Sequence, residues 1–142
     1  MISTLDNTMQ YLTSLDRYFT TGDTSAAALA ILFDLGFSVQ CDGFTHLRMA
    51  IYRKYANPRL RCQDLYNAIV DDHPETITSE QIEQSIRSAI NSAWNRTPGG
   101  QWELLFPSGN NGRRSRPTNF EFISRIACIL ELWNSCRETG PK

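Results

Sequence analysis

From Thr78 to Arg96 two kinds of position alternate with helical regularity. Ile82, Ile86, Ala89, Ile90, Ala93 and Trp94 recur at intervals of three and four, the signature of a helix with one buried stripe. Gln81, Gln84, Arg87, Ser88 and Asn91 fall outside that stripe. Thr78 with Gln81 three residues later forms a capping-box pattern, which predicts a helix over 79–95. Thr97-Pro98-Gly99-Gly100 ends it.

The same reading divides the rest of the chain into helices and breaks. Leu5, Met9, Leu12, Leu15 and Phe19 make a narrow stripe over 3–20, broken by Thr21-Gly22-Asp23. Thr24 starts a helix to about Leu35, with Ala26, Leu29, Ala30, Ile31 and Phe33 as its apolar content and Gly36 where a C-cap favours glycine. A short connection over 37–43 leads to a helix from Phe44 to about Ala56, with Leu47, Ala50, Ile51 and Tyr55 inward and Arg48, Arg53 and Lys54 outward. Asn57-Pro58 stops it. Cys62 to Val70 follows, using Leu65, Ile69 and Val70, and Pro74 rules out simple continuation. Trp102 to Phe106 suits a single turn, and 107–116 is a polar loop. The last helix begins near Pro117, runs to about Arg137, and turns Phe120, Phe122, Ile123, Ile126, Ala127, Ile129, Leu130 and Trp133 to the core. No stretch alternates with period two and no repeat is visible. The fold class is therefore all-α: a compact multi-helix domain over 25–138, with one extra N-terminal helix in the extension 1–24.

At 142 residues the chain has material for one real core. Its net charge of -1 does not by itself favour a polyanionic partner, but the distribution is uneven. Residues 1–42 hold five aspartates against Arg17, whereas 43–63 hold Arg48, Arg53, Lys54, Arg59 and Arg61 with no acid. Arg113, Arg114 and Arg116 form a second basic cluster. Local patches, not net charge, are what phosphates meet. Cys41, Cys62, Cys128 and Cys136 lack CxxC or other metal-type spacing with His46 or His73, and Cys128 and Cys136 are about 12 Å apart along one helix. They read as reduced core or boundary thiols of a cytoplasmic protein. No targeting or membrane segment is evident. Neither histidine has a Ser, Cys or carboxylate arrangement suited to catalysis. The expectation is no enzyme, no cofactor and no metal.

Amides and arginine on an exposed helix face are the side chains that hydrogen-bond adenine and guanine edges. A shorter helix and a turn precede 79–95, so the pair reads as a helix-turn-helix. The three tryptophans sit on apolar faces and read as core.

Three blocks carry a family likeness. Leu35-Gly36-Phe37 leads to Gly43-Phe44-Thr45-His46-Leu47-Arg48. Ile82-Glu83, Ile86-Arg87, Ala89-Ile90 and Ala93-Trp94 with Arg96 form the second. Arg116-Pro117-Thr118-Asn119 with Glu121-Phe122-Ile123 forms the third. In order and spacing they resemble the C-terminal DNA-binding effector domain of the stage zero sporulation protein A family, from about Ala26 to Trp133. The resemblance implies a six-helix domain that binds a short box of double-stranded DNA, often as a dimer, and regulates transcription. It also implies an RNA polymerase sigma subunit or a related regulator as a candidate partner. Its DNA-facing positions fall on Gln81, Glu83, Gln84, Arg87 and Ser88. Asn91 on the same face, and Arg113, Arg114 and Arg116 as phosphate contacts, complete the candidate set. The family pattern has Arg at the positions of Gln81 and Gln84 and His at Ser88, which implies a different DNA box. The regulator's receiver domain is not expected in these 142 residues. The competing reading is an interaction module or antagonist built on the same fold.

Overall fold

The computed structural model describes residues 24–72, 76–96, 102, 105–106 and 116–139. The expected helix 3–20, His73 and the loop arginines Arg113 and Arg114 lie outside them. Among the described residues there are α-helices and no strands: α1 Thr24–Asp34, α2 Asp42–Ala56, α3 Cys62–Asp72, α4 Ser79–Arg96 and α5 Asn119–Thr139. The all-α expectation holds. Helix α2 is the hub and packs against each of the other four, most extensively α4 and α5.

Local chemistry explains the boundaries. After α1, Gly36 adopts φ 93°. Its N–H donates to Phe33 O at 3.0 Å and the Phe37 N–H to Leu32 O at 3.1 Å, a Schellman stop that a glycine accepts without strain. The predicted N-terminal cap of α4 is reciprocal, and α5 has one that was not predicted. Thr78 N–H donates to Gln81 Oε1 at 2.9 Å while Gln81 N–H donates to Thr78 Oγ1 at 3.1 Å. Thr118 and Glu121 repeat the arrangement at 2.9 and 3.1 Å. Helix α5 therefore starts at Asn119, with Pro117 ahead of the cap rather than in the first turn.

Helices α1 and α2 also depart from the prediction. The stripe of α1 is Ala27, Ala28, Ile31, Leu32 and then Leu35, while Phe33 is half exposed. Periodicity could not set the phase because the segment is apolar nearly all round. Helix α2 starts two residues earlier than predicted, at Asp42, and takes in Gly43. A Cβ on Gly43 would lie 2.0 Å from Ser85 O and 2.8 Å from the Ala89 Cβ, so the two helices meet there backbone against side chain and carbonyl. Glycine is helix-poor by propensity, and close approach is what calls for it here.

One core joins all five helices. Trp102 sits at its centre, 1 % exposed, and donates its indole N–H to Leu35 O at 3.0 Å. Phe37, Phe106 and Phe122 pack around it, and the Trp94 ring meets it edge-on at 5.1 Å. Trp102 and Trp133 are core as expected, and Trp94 lies at its edge. Phe120, predicted inward, points out and carries the Lys54 ammonium 4.8 Å from its ring centroid.

Candidate nucleic-acid interface

Helix α4 is seated by burying Ile82, Ile86, Ala89, Ile90 and Ala93 against the core. That fixes its rotation. Glu80, Gln81, Gln84, Arg87, Ser88, Asn91, Ser92 and Asn95 are then exposed. Five of the six helix residues singled out from the sequence share this side. Glu83, the sixth, sits half-buried at its edge. Helix α3 lies immediately before α4 in the chain and packs against it.

The outward residues differ in how free they are. Gln81 has its Oε1 committed to the Thr78 cap, which leaves the amide Nε2 to donate. Gln84 is exposed on the turn beyond. Arg87 is paired with Glu83 one turn back, Nη2 to Oε1. Thr78, Glu80, Gln81, Gln84, Ser85 and Ser88 line an open depression of about 480 Å³ along one flank of the helix.

Along the other flank, residues 116–119 are stitched to α4. Arg116 Nη1 donates to Asn91 Oδ1 at 2.8 Å. Pro117 is buried. Asn119, also buried, donates its Nδ2 to Glu83 O and to the Tyr66 hydroxyl, both at 3.0 Å. One side chain thus binds α3 and α4 to the start of α5. Burial pushes the Tyr66 hydroxyl well above its ordinary 10.0, helped by a hydrogen bond with Cys62 and opposed by the one from Asn119. Burial likewise raises the Cys62 thiol, while the Tyr66 hydrogen bond acts the other way. Neither tie was visible in the sequence, since nothing in spacing alone relates Asn119 to Tyr66.

A pairing that the spacing gave no hint of is His46 with Ser85. His46 is buried on α2, and its Nδ1 lies 2.6 Å from Ser85 Oγ. Ser85 Oγ is also 3.0 Å from Ile82 O. The pattern that satisfies both contacts has the imidazole Nδ1–H donating to the serine and the hydroxyl donating to the carbonyl. The hydroxyl proton then faces a backbone acceptor rather than a base, which suits a helix tie, not a nucleophile.

The central basic stretch is largely used within the fold. Arg53 pairs with Asp72, joining α2 to the end of α3. Lys54 donates to Pro58 O and Leu60 O, each at 2.6 Å. Arg48, expected to point outward, lies over the Tyr52 ring at 5.8 Å with its Nε buried. At the far end of α4, Arg96 donates to Gly36 O at 2.5 Å. Among the described residues no His, Cys, Asp and Glu cluster could hold a metal, and no helix is long and apolar enough to cross a membrane. Cys41 and Cys62 are boundary thiols, whereas Cys128 is exposed rather than core.

Among the described residues the body is all-helical, and it fixes α4 on its apolar side with the polar side outward. The family model described as sporulation initiation factor Spo0A C terminal matches residues 28–130, most of the chain. The chain belongs to this family, one of DNA-binding domains that regulate transcription and not of enzymes.

Proposed function

We propose that the chain binds double-stranded DNA with sequence preference, using α3 and α4 as a helix-turn-helix and inserting α4 into the major groove. The observation that carries this reading is the exposed polar side of α4, held in a fixed rotation by five buried residues. Gln84, Arg87 and Ser88 meet base edges, and Gln81 contributes its free Nε2. Arg87 in its bidentate role addresses a guanine, and Gln84 an adenine. Glu83 holds Arg87 against the helix, which reduces the side-chain freedom lost on contact. Arg113, Arg114 and Arg116 contact phosphates, which position the protein without reading sequence. Two copies engage two half-sites.

One observation favours the antagonist reading. Glu80 and Glu83 flank the reading face, and Glu83 already neutralises Arg87. Selection from a pool of random duplex DNA separates the two. The DNA reading expects enrichment of one short motif. Recovery of no motif would leave the module without a DNA code and favour the antagonist.

A further inference from the structure

We infer that Asn91 is a positioning residue that holds Arg116 against the reading helix, and that it does not itself read a base. The inference rests on the proposed DNA-binding role of α4 and assigns that site its rigid edge.

Residues 116–119 dock on α4 at two points. Asn119 Nδ2 grips the backbone at Glu83, and Arg116 Nη1 grips the side chain of Asn91. Glu83 and Asn91 are eight residues apart, about 12 Å along the helix. Between these two points Pro117 is buried and Thr118 is fixed by its reciprocal contact with Glu121. An arginine on an open loop would ordinarily lose considerable rotamer freedom on meeting a phosphate. Here the backbone that follows it and one guanidinium nitrogen are already held. The remaining N–H groups of Arg116 stay available on an exposed residue at the rim of the face that carries Arg87.

The geometry also argues against Asn91 as a reader. Bidentate recognition of adenine needs the amide oxygen and nitrogen together. The Oδ1 of Asn91 accepts from Arg116, which turns the amide toward that guanidinium and occupies one of the oxygen's two lone pairs, so the amide is oriented by Arg116 and not set for an adenine edge. Asn91 contributes through the cation it holds.

The test is a double-mutant cycle on the full chain, using the duplex recovered by selection, with affinity measured across a salt series. Arg116→Ala is expected to weaken binding evenly over cognate and scrambled duplexes and to lower the salt slope by about 1. Asn91→Ala should act in the same even manner and lower the slope in part. The double variant should bind like Arg116→Ala within about twofold, because the two residues act as one unit. Asn91→Asp keeps an acceptor of the same shape and should leave base preference unchanged. Additive losses, an unaltered salt slope in Asn91→Ala, or a change of preferred base in Asn91→Asp would each overturn the positioning role while leaving DNA binding intact. Failure of the wild-type chain to bind any duplex would overturn the DNA reading, and the inference with it. Both side chains are exposed, so thermal melts should show each variant folded.

Discussion

In the proposed reading, Arg87 is the residue on which base recognition most directly depends. It is exposed, central on the polar side of α4, and braced by Glu83. Arg87→Ala should weaken binding to the selected duplex by about 1–3 kcal/mol and relax one base position. A titration against the selected site and its single-base variants measures both, and an unchanged profile would remove Arg87 from the reading set. Tyr66 acts at the same scale but on stability. It is neutral when protonated, and burial raises its pKa in the folded state, as it does for Cys62. The folded chain therefore keeps these protons to higher pH than the unfolded chain. Their stabilisation is complete below the ordinary values of 9.0 and 10.0 and is lost as pH rises through the raised ones. Denaturant melts should show stability falling from about pH 9 upward, and Tyr66→Phe should flatten the tyrosine part of that decline. An equally steep fall in Tyr66→Phe would place the alkaline sensitivity elsewhere.

At the scale of the elements, the closest junction is between α2 and α4. Gly43→Ala places a methyl group where Ser85 O already lies, 2.0 Å away. The helices must separate, and the cost should be at least about 1–3 kcal/mol, read as a lowered denaturation midpoint. A midpoint equal to that of the wild type would mean that the junction has slack. Helix α4 was legible in the sequence almost completely, because a strong apolar period, a capping pair and a Pro-Gly stop all agree on it. Helix α1 was legible as a helix but not in its rotation, since Ala26, Leu29 and Phe33 compete with Ala27, Ala28 and Leu32 for the core. The inclusion of Gly43 in α2 was hidden for a different reason. Its justification is the carbonyl of Ser85, far away in sequence, which no local pattern records. The same holds for Asn119. It looks like a cap-region polar residue, and only the packing of α3, α4 and α5 makes it the tie between them.

For the molecule as a whole, the question is how a chain with a net charge of -1 could bind a polyanion. Within the central basic stretch Arg53 and Lys54 serve the fold, while Arg59 and Arg61 are exposed. In the proposed reading, Arg113, Arg114 and Arg116 supply the phosphate contacts. Replacing Arg113 and Arg114 by Ala together should lower affinity evenly across sequences and reduce the salt slope by about 1 for each phosphate no longer neutralised. An unaltered slope would exclude them as phosphate ligands. The fit between Gly43 and the main chain of α4 has a further implication for the partner. A rod locked that closely to its neighbour cannot tilt to follow an irregular groove. Where the two shapes disagree, the duplex has to yield, so preference should extend to flanking steps that no side chain reaches, according to how easily they flex.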